Sequence, residues 1–532
     1  AIESSDLFIR SNIQELQRAI SQLIPLSKKY HCVVDNPPYM GGGNMNKELS
    51  TFVKKNYPDS KADLMACFME RGLSSLQPKG LLGMINQHSW MFLSSYEKLR
   101  DKIIKNIQFD TLLHLGPRTF PEIGGEVVQN ASFTFLNAKP TYKGSYARLV
   151  DYENSELKRN KTLEAIQNPQ CGWFYTANQK DFEKIPGSPI GYWLSERTIS
   201  IFINFSSIGA VANPKTGMTT SNNERFIRFW FEPNNVKVFI KAKNRQEART
   251  SNRKWFPYSK GGGYKKWFGL NQYVVNWAND GEEIKNLRDS KGKKLASVRA
   301  SDNYFNSGIS YSALTSNNFS ARNINQGFIF DSGGSTIFTN DDRIRKYILG
   351  VLNSRILPIY MNVFNATLNF QPGDIARIPF PKSFNNDSLK IVDKLILFSN
   401  YDWDSREISW DFQQNELIRC KSNCGQNCAD IDLLSNEDRD EILDMAKIPT
   451  DSNLLEDCYE AYKSKWTKMF FQLHRNEEEL NRQFIEIYGL QDELNPDVPL
   501  EEITILQEET SIKNGELVFH ADEVFAQFVS YA

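Results

Sequence analysis

Val33-Val34-Asp35-Asn36-Pro37-Pro38-Tyr39, followed by Met40 and the glycines Gly41, Gly42 and Gly43, decides the fold of this chain. The apolar run from Cys32 to Val34 predicts a buried strand, and the double proline then stops regular structure at once. A stiff loop at the carboxyl end of a strand follows, which is where open α/β sheets hold their ligands. Asn36 offers a side-chain oxygen and Pro37 a carbonyl, so together they can accept both hydrogens of an exocyclic amine. An amine conjugated to a purine is a weak nucleophile, and two such acceptors help its lone pair turn out of the ring plane. Tyr39 adds a flat face for stacking, while Asp35 is the expected cofactor contact. Such a pocket takes an adenine only after the base has left the duplex. A proline turn with a surface tyrosine would carry the same letters; the strand before and the helix-then-strand pattern after favour the pocket.

Composition sets the outer limits. A chain of 532 residues, 40% hydrophobic and 12% aromatic, is folded and long enough for about three domains. No signal peptide or membrane span is visible, and seven scattered cysteines fit reduced thiols, so a cytoplasmic protein is expected. A first residue other than methionine and an abrupt end at Phe525 to Ala532 suggest a piece of something longer. The net charge of −1 hides an asymmetry: Pro214 to Ala300 holds nineteen Lys and Arg against seven acids, whereas Ala429 to Ala532 holds twenty-five acids against eight bases. The middle segment suits phosphates and the tail does not.

Around the proline loop the pattern alternates. Ser11 to Lys29 carries a helical stripe of Ile13, Leu16, Ile20, Leu23 and Ile24. Asn44 to Asn56 reads as a polar loop or short helix, and Asp63 to Leu76 as a helix. Pro78-Lys79-Gly80 then turns the chain into a second buried strand, Leu81 to Asn86. A helix at Glu97 to Lys105 and strands at Phe109 to Leu115 and Val127 to Leu136 extend the βαβ rhythm of a parallel sheet. Phe120, in the loop between those strands, is a candidate second wall for the extruded base, or a packing residue.

Asn36-Pro37-Pro38-Tyr39, then Asp63 to Leu73, then Leu81 to Trp90, resembles the catalytic half of gamma-order amino-methylating DNA methyltransferases. More narrowly, Tyr39-Met40-Gly41-Gly42 with Tyr57 to Leu64 is similar to the adenine-specific methyltransferases of BREX phage-defence systems. That similarity continues through Ile185 to Pro189, Thr219 to Arg228, Trp255 to Tyr258 and Leu368 to Ile375. The resemblance implies an α/β, Rossmann-like methyltransferase portion, a mixed α+β target-recognition domain and a helical C-terminal region. It implies methyl transfer from S-adenosylmethionine to adenine N6 in double-stranded DNA, and a defence role beside other BREX components. Asn36, Pro37, Pro38 and Tyr39 would be the catalytic residues. The pattern departs in one respect: such enzymes carry a glycine-rich cofactor loop upstream, and the 35 residues before Asn36 form none. A fragment whose cofactor site is completed by other segments, or by a partner, is expected.

The prolines at Ile185 to Pro189 suggest boundaries at 1–185, 186–382 and 383–532. In the second part, Ile208 to Phe231 and Val236 to Lys243 look like short strands. Lys243, Arg245, Arg249, Arg253, Lys254, Lys260, Lys265 and Lys266 are candidate DNA contacts, interleaved with glycines and with Trp255, Phe256, Tyr258, Tyr264 and Trp267. Such a stretch either follows a phosphate backbone or turns over a small aromatic core. Phage DNA mimics are a further expected occupant of a basic cleft. Asp341 to Asn353 reads as a helix, and Leu368 to Pro381 as the exit of a target-recognition domain.

Beyond Pro381, helical periodicity appears at Asp387 to Phe398, Glu437 to Ala446, Asn453 to Leu473 and Glu477 to Tyr488, with Trp403, Trp410 and Trp466 as expected core. Cys420, Cys424 and Cys428 are spaced more loosely than structural zinc prefers and read as ordinary cysteines. Two classes of function stand against each other: an adenine methyltransferase, and a DNA-binding specificity module, or restriction-modification subunit, without chemistry in this piece.

Overall fold

The computed structural model describes residues 7–121, 128–314, 318–364, 369–421 and 454–532. The chain divides into two units, Ala1–Ile203 and Asn204–Ala532.

The first unit is an α/β layer around a six-stranded sheet. Its strands are β1 (Tyr30–Asp35), β2 (Leu76–Gln87), β3 (Gln108–Gly116), β4 (Asn130–Leu136), β5 (Gly144–Arg148) and β6 (Phe174–Ala177), in the order β1-β2-β4-β3-β5-β6. The sheet is mixed: β1 with β2 and β3 with β5 are parallel, whereas β4 runs antiparallel to both its neighbours. Helices α1 (Leu7–Ser27), α2 (Lys47–Asn56), α3 (Leu64–Ser74), α4 (Glu97–Asn106) and α5 (Ser155–Gln167) supply the connections. Trp90, Phe109, Phe133 and Phe135 form the aromatic centre of the core, with Phe133 and Phe135 stacked 4.4 Å apart.

Two expectations are corrected in this unit, and the helix expected at its start proves to be exposed. β1 is not buried: it is the edge strand of the sheet, with Val34 79% exposed and Cys32 open to solvent. The helical stripe of α1 exists but is bare, since Leu16, Leu23 and Ile24 are each more than half exposed. Pro78-Lys79-Gly80 does not separate two elements either. β2 runs through it, Lys79 takes a positive φ of 61°, and the register against β1 shifts there.

The prolines around Gly187 belong to this unit, because the fully buried Arg100 on α4 clamps them. Its guanidinium donates to the Gly187 carbonyl at 2.6 Å, the Ser188 carbonyl at 3.2 Å and the Leu93 carbonyl at 2.6 Å. The compact boundary falls at Ile203.

The second unit joins two small sheets to a helical layer. One sheet orders Ile329–Phe330, Trp255–Ser259, Tyr273–Asn276 and Ile227–Phe229; the other orders Ala321–Ile324, Gly308–Tyr311, Thr336–Phe338 and Asn213–Lys215. Val236 to Lys243 is not a strand; only a short 3₁₀ turn forms there, at Asn235–Lys237. Pro379–Phe380 pairs antiparallel with Ser206–Ser207, which brings the two ends of the expected recognition segment together. The helices Asp342–Leu352, Asn386–Asp404 and Leu455–Tyr488 meet at Gly350, where a β-carbon would lie 2.9 Å from Val392 and 3.0 Å from Phe484. The last of these is one helix of 34 residues where the pattern reads as two. Trp403 and Trp466 are buried and Trp410 is half-buried. Cys424, Cys428 and the Glu437 to Ala446 helix lie outside the described residues, as does the Cys420 side chain.

Buried charge ties the sheets to the helices. Lys265 Nζ meets Asp402 at 2.7 Å, Lys266 Nζ meets Glu477 at 2.7 Å, and the Trp267 indole N–H donates to the other Glu477 oxygen at 2.7 Å. Burial works against the Lys266 charge, but Glu477 outweighs it and holds the ammonium above its ordinary range. Among the described residues no helix is long and apolar enough to cross a membrane.

Removing one partner of such a pair leaves the other charge buried and alone, at a cost of about 3–5 kcal/mol. Glu477→Gln is therefore expected to lower the urea stability of this unit by about that amount, followed by tryptophan fluorescence. The double variant Lys266→Met with Glu477→Leu should recover most of the loss.

Candidate active site

The loop after β1 is held from two sides. Asp63, the N-cap of α3, accepts from the Met65 backbone N–H at 3.0 Å and from the Met40 backbone N–H at 3.1 Å. One carboxylate thus starts the helix and anchors the loop. Leu64 N–H donates to the Met40 carbonyl and Gly42 N–H to the Ala62 carbonyl, closing a short ladder between loop and helix start. On the other side the Tyr39 hydroxyl donates to Asn130 Oδ1 at 3.1 Å. Asn130 is 1% exposed and opens β4, opposite Gln87 of β2 and Gly116 of β3. The ring is half-buried, and burial, helped by Asp63, pushes its hydroxyl pKa up.

What this pinning leaves open matters most. Pro37 is buried, yet its carbonyl accepts no hydrogen bond from the described residues, and the exposed Asn36 side chain makes none. Both acceptors are unengaged on a loop whose backbone is fixed three residues beyond Pro37, at Met40. Pro38 is exposed and supplies stiffness; Asp35 is half-buried at the last position of β1. Phe120 is half-buried after β3, and no ring contact joins it to Tyr39 among the described residues. α2, capped by Asn46 at 2.8 Å, forms where the sequence allows a loop or a short helix.

Two histidines absent from the sequence reading sit at the same end of the sheet. His88 follows Gln87, and its Nδ1 lies 2.8 Å from Nε2 of His114 on β3, whose Nδ1 lies 3.1 Å from the Tyr192 hydroxyl. Phe92 packs edge-on against His88, 5.5 Å away. Burial pushes the His88 pKa down to about 4 and holds His114 well below its ordinary range, so both rings are neutral. The capping position of Asp63, before an apolar helix, was legible as a start signal; the partnerships of Asn130, His88 and His114 were not.

In the second unit the expected DNA contacts divide. Lys265 and Lys266 are corrected: they are 8% and 4% exposed and neutralised from within, so phosphates do not reach them. The aromatic-glycine-lysine stretch is the small core, with Trp255, Phe256, Tyr258 and Trp267 buried. Arg245 is held by Asp280 at 2.5 Å, and Lys254 lies 3.9 Å from Glu283. Lys260 covers the Tyr273 ring at 4.7 Å. Lys243 and Arg249 are exposed and Arg253 is half-exposed, and none of the three forms a salt bridge among the described residues. No cluster of metal-ligating side chains occurs among the described residues.

Residues 3–120, which hold the strand, proline loop and capped helix, match the family model described as Eco57I restriction-modification methylase. The chain is 37% identical over 495 residues to the adenine-specific methyltransferase PglX of Lacticaseibacillus casei (strain Zhang), covering 92% of this chain and 39% of the relative. It is 38% identical over 434 residues to the adenine-specific methyltransferase BrxX of Escherichia coli O9:H4 (strain HS), covering 80% of this chain and 34% of that one. These relatives bear out the resemblance read from the sequence, and the chain spans less than two-fifths of their length. Among solved structures, the Type IIL restriction-modification enzyme MmeI in complex with DNA has a TM-score of 0.44 and 11% identity, over 90% of this chain and 56% of that one.

Unfolded imidazoles take up a proton near pH 6.5, whereas His88 in the fold does so only near 4. The unfolded chain therefore binds the proton first, and stability falls as pH drops from about 6.5 toward 4. For His88 alone the loss amounts to about 3 kcal/mol. Urea melts of the first unit at pH 7 and pH 4.5 should show a drop that shrinks in His88→Gln.

Proposed function

We propose that this chain carries the base-accepting loop and the sequence-reading part of a site-specific DNA adenine N6-methyltransferase. The observation that carries the proposal is the loop itself: Asn36 and Pro37 keep two free acceptors while Asp63 and Asn130 fix the residues behind them. An adenine swung out of the duplex would stack on Tyr39, whose hydroxyl bond sets the ring's orientation. Its amino hydrogens would go to the Asn36 oxygen and the Pro37 carbonyl, drawing the nitrogen lone pair toward the side from which a methyl group arrives. The Asn36 amide stays neutral throughout and takes no proton.

S-adenosylmethionine, the methyl donor in this proposal, supplies an activated methyl sulfonium when bound. The described residues fit only the acceptor side of that exchange. Asp35 ends β1 beside the loop, but no glycine turn joins a strand to a helix there. The bare edge of β1 and the exposed Val34 are where further chain would complete the donor side, and the greater length of PglX and BrxX supports this. The likeness to PglX and BrxX supports the further reading that the protein acts on double-stranded DNA in the cytoplasm, beside other components of a BREX-type phage-defence system. DNA-mimicking phage inhibitors would compete for the surface of Lys243, Arg249 and Arg253.

The bare edge of β1 also favours a second reading, a specificity module without chemistry of its own. Labelled S-adenosylmethionine and DNA incubated with the full-length protein separate the two. Label on adenine that falls about 10²-fold or more in Asn36→Ala, with DNA affinity unchanged, supports the enzyme; equal background in both supports the module. Asp63→Ala, which frees the loop, should lower kcat more than it raises KM. Arg249→Ala and Arg253→Ala should each weaken DNA binding across sequences and reduce the salt slope by about one.

A further inference from the structure

The second unit holds a cavity that the methyl-transfer reading leaves unused. Its volume is about 470 Å³, and Phe268, Phe328, Trp403 and Trp410 contribute its aromatic walls. Phe328 and Trp410 lie 5.7 Å apart at 40°, open on one side rather than packed face to face. Trp403 is pressed against the backbone: a β-carbon on Gly269 would come within 3.0 Å of its indole, so that wall is preformed.

Asn271 is the telling residue. It is 5% exposed and lines this cavity, yet its side-chain amide makes no hydrogen bond to any described residue. Its amide is reached through the cavity, where a guest could use both its donor and its acceptor. The backbone before it is strained to place it there, with Trp267 at φ 69° and Leu270 at φ 60°. The Gln326 amide adds a second donor and acceptor pair, and Lys241 and Lys243 stand exposed on the lining. The same cavity has acids, Asp404 and Asp411; Asp404 accepts from the Ser409 hydroxyl at 2.6 Å.

Aromatic faces, an amide open to the cavity and lysines on the lining describe one class of ligand. A flat heterocycle stacks on the rings and offers donors and acceptors to Asn271 on its edge. A phosphate attached to it suits the lysines. A bare phosphate would leave the aromatic walls unused, and a purely apolar guest would cover the Asn271 amide without pairing it. We propose that this cavity binds a nucleobase with its phosphate, either a base displaced from DNA or a free nucleotide.

Fluorescence titration of the chain tests this with three probes: the four deoxynucleoside monophosphates, a duplex with one bulged nucleotide, and the same duplex fully paired. The bulged duplex is expected to bind about tenfold tighter than the paired one, the scale of one base stacked on an aromatic ring. Trp410→Ala and Lys243→Glu should each erase that preference, while thermal melting shows the fold intact. Asn271→Ala should reduce it. Monophosphates bound with the same dependence on Trp410, and no preference for the bulge, assign the site to free nucleotides and uphold its chemistry. A bulge preference lost in Asn36→Ala but kept in Trp410→Ala puts the base on the methylase loop and overturns the proposal. So does the failure of every probe to bind in a manner that depends on Trp410.

Discussion

A single carboxylate sets the geometry of the proline loop. Asp63 caps α3 through Met65 and at the same time takes the Met40 N–H, so the start of a helix and the end of the proline loop share one anchor. Helix capping is worth about 1 kcal/mol, modest as stability but considerable as positioning, because the loop inherits the rigidity of a packed helix. Tyr39, tied to the buried Asn130, adds the sheet as a second reference. Asn36 and Pro37 then sit between the end of β1 and these two anchors, with their oxygens unspent.

The second unit uses charge inwardly. A run of bases in the sequence looks like a face for phosphates, but its last members, Lys265 and Lys266, reach into the helical layer to Asp402 and Glu477. The acids of the C-terminal region are part of the same device: Glu502 reaches Arg355 at 3.1 Å, and Glu509 pairs with Arg406 and bonds the Tyr462 hydroxyl. The basic middle meets the acidic tail directly at Lys266, which pairs with Glu477, while other acids of the tail pair with Arg355 and Arg406. Buried ion pairs of this kind add little net stability over apolar packing, but they fix which surfaces meet, since any other register strands a charge.

Exposure tells a complementary story in the first unit. An edge strand with a bare valine and a helix with a bare apolar stripe are costly in water, and soluble folds usually cover such surfaces. The contrast with the dry aromatic core around Trp90 and Phe133 shows how local the exposure is. α1 and β1, the elements leading into the proline loop, share this exposure with Phe52 on α2 and Ile166 on α5.

By itself the sequence determined the strand and proline loop, the helix beginning after Asp63, the helix of Glu97, and the α/β class of the first unit. Each is written in local periodicity or in the fixed φ of proline, which depend on neighbours along the chain. Only the tertiary structure decided that β1 is an edge, that β4 runs antiparallel between β2 and β3, and that Asn130 receives Tyr39. It also turned Lys265 and Lys266 inward and left Asn271 alone at a cavity wall. Those outcomes rest on partners up to 211 positions away, as with Lys266 and Glu477. Whether a lysine meets a phosphate or a carboxylate is set by which surfaces pack, and no local pattern of residues encodes that.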